Sequence, residues 1–401
     1  MRKWILTRGV PFTALALVVA LTIAVGAIAK TDSGGPARAA SPASSDAALI
    51  KCGNSRLIGL LGIYTGPAAS LGLPQINWVK FFVARYNKTH KTKYRIQGQD
   101  TQLGAANGTA EAIKGAQTLR ANPQLLGTVG PAGSNEVKAT SATLKGAGLA
   151  FVSGSATATT LTVPPDPSRA GYFFRTVPPD AAQSQSVSRY IINTLKLKKV
   201  YIIDDQEAYS TGLADEVEAQ LKAGGVTTTR DGVSQQQSDF SSLIAKIPRD
   251  TQLVYLPWQL PPKGQAFGQQ MKTAGRGTIK LMGSDGLFDP AFASVGSNVY
   301  DSFFPIQPAD PVIKAYRRTH GGSGDYFGAP SYVAAQVVGG AIDRACKDGK
   351  ASRAEVRKQI VKTKLKSTLL GLPVAFDKNG DMVKRPFGIY QSKNGNFVRV
   401  G

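Results

Sequence analysis

The sequence predicts an α/β fold of two Rossmann-like lobes, each built on a parallel sheet. Short apolar runs alternate with segments of helical periodicity, the pattern of parallel strands joined by helices. The alternation restarts after residue 178, so one such unit follows another. The chain has 401 residues, more than one ordinary compact core accommodates, which makes two domains the expectation.

The elements follow in order. "MRKWILTRG" carries Arg2, Lys3 and Arg8, and "VPFTALALVVALTIAVGAIA" then runs uncharged to Ala29. Residues 1–30 thus read as a signal peptide, with cleavage signals at Ala27-Ile28-Ala29 and Ala37-Arg38-Ala39, or as an uncleaved membrane anchor. Either way the rest is exported, to the periplasm or the outer face of the cytoplasmic membrane. Residues 31–52, rich in Ser, Ala, Gly and Pro, read as a flexible linker. "RLIGLLGIYTG" is a buried strand ending in the turn Gly66-Pro67. "PQINWVKFFVARYNK" places Ile76, Val79, Phe82, Val83 and Tyr86 at helical spacing. The first unit continues as strand "KYRIQGQD", helix "NGTAEAIKGAQTLRAN", strand "LLGTVGP", helix "SNEVKATSATLKGA" and strand "GLAFVS". The strand "YFFRTVPPD" leaves it.

The second unit reads as helix "AAQSQSVSRYIINTLK", strand "KVYIIDD", helices "STGLADEVEAQLKAGG" and "DFSSLIAKI", strand "QLVYLPW", helix "KGQAFGQQMKTAG" and strand "IKLMGSDG". Three helical segments follow, "DPVIKAYRRTHG", "SYVAAQVVGGAIDRACK" and "SRAEVRKQIVKT". The chain ends in short strands, "LPVAFDKNGDM" and "FGIYQSKNGNFVRV", whose Asn-Gly pairs favour hairpin turns.

Composition limits the chemistry. Two cysteines and two histidines are too few for a zinc site, a haem or an iron–sulfur cluster, and no cofactor is expected. In an exported chain, Cys52 and Cys346 suggest one disulfide. The formal charge is +22, but it is spread over several segments, and export removes the chain from most nucleic acid. Attraction to an anionic cell surface accounts for the excess better than nucleic-acid binding does.

Ligands of open parallel sheets bind beyond the carboxyl ends of the strands. "GPAGSN" puts Ser134 at a helix start, either as a plain N-cap or as part of an amide-rich carboxylate site. In "FVSGSATATT", Ser155, Ala156 and Thr157 offer backbone groups and hydroxyls to a small polar ligand, or form a tight strand-to-helix turn. Tyr209 is an aromatic at a strand-to-helix junction, available to a ligand or to the domain. Asp285 is an acid among glycines at a strand end, where a buried carboxylate needs a positive or donor partner. Together these residues compose a zwitterion site, in which Ser134 and Thr157 take a carboxylate and Asp285 takes an ammonium.

The segments "IGLLGIYTGPAASLG", "VGPAGSNEVKATS", "FVSGSATATTLT", "YFFRT", "YIIDDQEAYSTGLADEV" and "MGSDG", in that order from about Leu57 onward, resemble the type I periplasmic binding proteins. Among these they are most similar to the branched-chain amino-acid-binding (Leu/Ile/Val) receptors of ABC transporters. The resemblance implies ligand contacts at Ser134, Ser155, Ala156, Thr157, Tyr209 and Asp285. It also implies a three-strand hinge, with crossings at Arg175–Pro178, Phe304–Pro308 and Leu370–Pro373. The lobes would then be 53–177 with 307–372, and 178–306 with 373–401. Leu71 stands where the family often has an aromatic, and Gln259, beside Trp258, where it often has a Tyr. Those positions shape the side-chain pocket.

The implied function is an extracytoplasmic, monomeric binder of a small amino acid, closing on it by a hinge and serving a membrane permease with a separate ATPase. A ligand-sensing receptor module, or a binder of an amide, urea or aromatic acid, shares the fold. An enzyme is not expected: there is no Gly-x-Ser-x-Gly elbow, no Walker A sequence, and no histidine near a nucleophile.

Overall fold

The apolar run at the first strand places Ile58 and Leu60 on one face of a sheet and Leu61 on the other, all buried. This strand, Ser55–Gly62, lies between Lys93–Asp100 and Leu125–Val129, and Phe151–Ser153 and Phe173–Arg175 complete a five-stranded parallel sheet. In this computed structural model the described residues are 48–305, 310–321, 326–384 and 386–401. The expected leader and most of the expected linker lie outside them. Among the described residues no helix is long and apolar enough to cross a membrane.

Both faces of the first sheet are covered, which is why its strands read as apolar runs. One face packs Ile58, Leu60, Leu126 and Val152 against Ile76, Val79 and Phe82 of the helix Ala69–Thr89 and Val333 and Val337 of Gly328–Ala345. The other packs Leu61, Leu125 and Phe151 against Ala116 and Leu119 of Ala110–Ala121 and Val137 and Leu144 of Ser134–Gly146.

The second sheet repeats this order. Lys199–Asp204 lies between Thr227–Gly232 and Leu253–Leu256, and Lys280–Gly283 and Val299–Phe303 follow in parallel. The hairpin Gly388–Lys393 and Asn396–Arg399 then extends the sheet antiparallel. Helices cover one face through Leu243, Ile244, Phe267 and Met271 and the other through Val187, Leu213, Val217 and Leu221. In both sheets the strand order reverses beside the first strand, the position at which an open α/β sheet leaves a crevice.

Several details differ from the sequence reading. The first helix begins at Ala69, so Pro74 lies inside it and Leu71 in its first turn. Gly72 permits this approach, since a Cβ there would meet the Ile63 carbonyl at 2.2 Å. The strand Thr227–Gly232 has no apolar run because it is a partly exposed sheet edge. The strand Val299–Phe303 is fully buried yet carries Asp301 and Ser302, which breaks its apolar pattern.

Residues Ile50–Lys51, within the expected linker, pair antiparallel with Lys350–Ala351. Beside them Cys52 and Cys346 form a disulfide, their Cα atoms 5.7 Å apart. The chain passes from the first sheet to the second between Arg175 and Asp180, and residues 306–308 of the expected crossing at Phe304–Pro308 lie outside the described residues. The third crossing comes later than Leu370–Pro373. Val374 and Met382 are buried in the first lobe's core, and Asp381 pairs with Arg175, so residues 374–382 pack on the first lobe.

Candidate functional site

The carboxyl ends of the strands of both sheets converge on one cavity. From the first lobe, Ile63, Leu103, Ala132, Gly133, Ser134, Ser155 and Thr157 line it, each just beyond a strand. Leu71 and Gln75 join them from the helix Ala69–Thr89. From the second lobe come Tyr209, Gln259, Asp285 and Gly286, again beyond strand ends, and Phe327 closes one side. The cavity is small, about 30 Å³.

The two lobes touch around this cavity. Asn135 Nδ2 donates to Glu207 Oε2 at 2.9 Å, and Gln236 Nε2 donates to the Gly104 carbonyl at 3.2 Å. Leu260 of the second lobe packs among Ile63, Ala68, Leu103 and Ala132 of the first. On another side Leu71 and Val177 meet Phe288, Phe303, Phe304 and Phe327. The molecule is in a closed arrangement.

The first-lobe wall is built from a helix start and a turn. Gly133, rather than Ser134, is the N-cap, and its N–H donates to the buried Glu136 carboxylate at 2.9 Å. Burial pushes the Glu136 carboxyl up to about 7. Ser134 is the first residue of the helix and its hydroxyl oxygen accepts from Ala158 N–H at 3.1 Å. Its hydroxyl proton is therefore left to point elsewhere. Ser153 braces the turn from inside, its hydroxyl accepting from the amides of Ser155 and Ala156 at 3.2 and 2.9 Å.

Arg175 holds the other side of the turn, donating to the carbonyls of Ala158 at 2.9 Å and Ala156 at 3.4 Å. Ala156 thus spends its backbone groups on the protein and belongs to the core, while Ser155 and Thr157 face the cavity.

The second-lobe wall centres on Asp285, only 2% exposed. The Tyr209 hydroxyl donates to its Oδ1 at 2.6 Å and lies 2.7 Å from Ser284 Oγ. Burial pushes the Asp285 carboxyl up to about 6, and the Tyr209 hydrogen bond works against a further rise. Behind it lie two more fully buried carboxyls, Asp180 and Asp301. Burial, with repulsion from Asp285, pushes both well above the usual carboxylate range. The second-lobe wall therefore offers an acidic end to the cavity, and the first-lobe wall offers amides and hydroxyls.

Of the pocket-shaping residues, Leu71 and Gln259 line the cavity and Trp258 does not. Strand alternation turns the Trp258 indole into the lobe, where its N–H donates to the Ile203 carbonyl at 2.7 Å and the ring packs on Phe240 and Phe267. Gln75, Leu103 and Phe327 were not singled out in the sequence. Each comes from a loop or helix whose approach to the cavity depends on lobe packing, and none has a local signal.

Comparison with known proteins agrees with this architecture. Residues 57–396 match the profile of a family described as Periplasmic binding protein. The chain is 29% identical over 362 residues to a Leu/Ile/Val-binding protein of Rhizobium johnstonii, covering 85% of this chain and 92% of that one. It is 26% identical over 359 residues to the leucine-specific-binding protein of Salmonella typhimurium, covering 83% and 90%.

Among solved structures, a branched-chain amino acid transporter substrate binding protein of Streptococcus pneumoniae in complex with isoleucine superposes with a TM-score of 0.74 at 22% identity, covering 86% of this chain and all of that one. A solute binding protein of R. palustris in complex with benzoate gives 0.75 at 18% identity, covering 86% and 96%. Two lobes of one strand order, closed on a cavity at their strand ends, and a family match across most of the chain lead to one conclusion: this protein belongs to the periplasmic binding proteins, with the type I fold.

Proposed function

We propose that this chain is the extracytoplasmic substrate-binding protein of an ABC importer, and that it binds a small amino acid, branched-chain or related, between its lobes. The observation that carries this reading is the polarity of the cavity. Asp285, buried and tied to Tyr209, stands on one lobe, and the helix start at Ser134 with the Ser155–Thr157 turn stands on the other. A helix N-terminus with free amides favours a carboxylate, and a buried carboxylate favours an ammonium. Relatives that bind Leu, Ile and Val by name support the same class.

In this reading Ser134, Ser155 and Thr157 receive the ligand's carboxylate while the lobes are apart. Closure through the connecting segments then brings Tyr209 and Asp285 over its ammonium. The ligand binds between the lobes and stabilises the closed arrangement, which a permease served by a separate ATPase would recognise. The chain acts as a monomer, and residues 1–30 export it, as a cleaved signal peptide or as an anchor.

The test is a thermal-shift screen of the chain against L-amino acids, then amides, urea and aromatic acids, confirmed by calorimetry. A ligand that binds only the native state at about 100 times its Kd adds about 2.7 kcal/mol. The expected result is a shift with one or more amino acids that is lost in Asp285→Ala. A shift only with molecules lacking an ammonium, such as benzoate, would overturn the role given to Asp285.

A further inference from the structure

We infer that Gln259 selects a ligand whose side chain carries a neutral hydrogen-bond acceptor, a hydroxyl or a carboxamide, in preference to a hydrocarbon side chain of the same shape. This rests on the amino-acid reading above and makes it narrower.

Two glutamines line the cavity, and they differ in one respect. Gln75 has a partner within the protein: its Nε2 donates to the Leu71 carbonyl at 3.1 Å, and its Oε1 lies 3.4 Å from the Ser331 hydroxyl, which donates to the Phe327 carbonyl at 2.8 Å. Gln259 is 5% exposed, and its Nε2 is buried with no partner among the described residues. A buried, unpaired donor is unfavourable unless something outside the chain pairs with it.

The backbone holds Gln259 at the cavity. Its N–H donates to Asp205 Oδ2 at 3.4 Å, and Trp258 before it is anchored to Ile203. Gly286 presses on the same segment, since a Cβ there would meet the Trp258 carbonyl at 2.4 Å and Gln259 Cα at 2.8 Å. Gln259 is thus fixed beside Asp285 and Gly286, on the wall assigned to the ligand's ammonium.

The surroundings narrow the acceptor to a neutral one. Asp205 and Asp285 lie next to Gln259 in space or in the cavity wall, so a ligand carboxylate near its amide would face like charges. A hydroxyl or carboxamide oxygen accepts the amide proton without that repulsion. A methyl in its place leaves the donor buried and unpaired, and sites built to pair with a polar group discriminate against such an analogue.

The experiment is calorimetry on the full chain with two shape-matched pairs, L-threonine against L-valine and L-asparagine against L-leucine. The expected result is that the polar member of at least one pair binds about tenfold tighter or more. In Gln259→Leu and, separately, Gln259→Met, that ratio should fall to about one or invert. Because the readout is a ratio on the same variant, a general loss of stability cancels, and circular dichroism confirms that each variant is folded. Valine and leucine binding as tightly as their polar partners, or a ratio that survives both substitutions, overturns the inference and leaves the amino-acid reading standing. Binding of none of the four overturns the amino-acid reading, and this inference with it.

Discussion

The Arg175 guanidinium and the Asp381 carboxylate meet at 2.6 Å beneath the turn at Ser155–Ala158, with neither side chain more than 1% exposed. Arg175 also donates to the Ala158 carbonyl at 2.9 Å and to Thr162 Oγ1 at 2.7 Å, and Thr162 donates in turn to Asp381 Oδ2 at 2.9 Å. One cation thereby joins the cavity turn, the end of the last strand of the first sheet and the hairpin at 377–381.

Removing one member of this ion pair takes from the other the charge it meets in the core. Arg175→Met should destabilise the protein by roughly 3–5 kcal/mol, read from urea unfolding. Ligand affinity should fall too, because the Ala156 and Ala158 carbonyls lose their anchor. Arg175→Met combined with Asp381→Leu should cost less than the sum of the single changes, since the pair is coupled. Strict additivity would show that the ion pair does not act as a unit.

The fold was legible because both sheets are buried on two faces and so write themselves as apolar runs. Legibility failed where that condition fails. Thr227–Gly232 is an edge strand and reads as polar, and Val299–Phe303 carries Asp301 into the core. The third crossing was misplaced because residues 374–382 form only a two-residue strand and a bridge, too short to show which lobe they serve. In the site, strand ends pointed to the positions later found around the cavity. They did not say that Trp258 turns inward while Gln259 turns to the cleft, nor that Arg175 braces the turn, since both depend on tertiary packing.

Asp285 makes binding of an amine ligand depend on pH. Its carboxyl is raised to about 6 by burial, so it takes up a proton as the pH falls through that value. Only the ionised form attracts an ammonium. Affinity should therefore fall roughly tenfold per unit as the pH drops below about 6, where a proton competes with the ligand for Asp285. Burial, with repulsion from Asp285, pushes the Asp180 and Asp301 carboxyls upward as well. Asp285→Asn should abolish the step and weaken binding by roughly 10- to 100-fold at pH 7. A slope unchanged in Asp285→Asn would assign the titration to another group.

Tyr209 tunes that carboxyl. Burial and the Asp285 charge push its hydroxyl well above the usual value, so it stays a donor through the neutral range. In Tyr209→Phe the carboxylate loses this hydrogen bond, and the midpoint of the affinity profile should move to higher pH. At pH 7 the expected loss is about tenfold, becoming smaller as the pH rises. An equal loss at every pH would mean that Tyr209 only packs on the ligand.

The disulfide should matter for stability and not for binding. Cys52 and Cys346 are 294 residues apart in sequence, and their bond lies beside the short pairing of Ile50–Lys51 with Lys350–Ala351. Neither cysteine lines the cavity. Closing so long a loop restricts the unfolded chain, and natural disulfides of this kind typically contribute about 2–4 kcal/mol. The double variant Cys52→Ser, Cys346→Ser should therefore lower Tm by roughly 5 °C. Its calorimetric Kd should match that of the native chain, because the cavity walls are built from other elements. A weakened Kd would show that the clasp holds the helix Gly328–Ala345 in place, and through it the Phe327 side of the cavity.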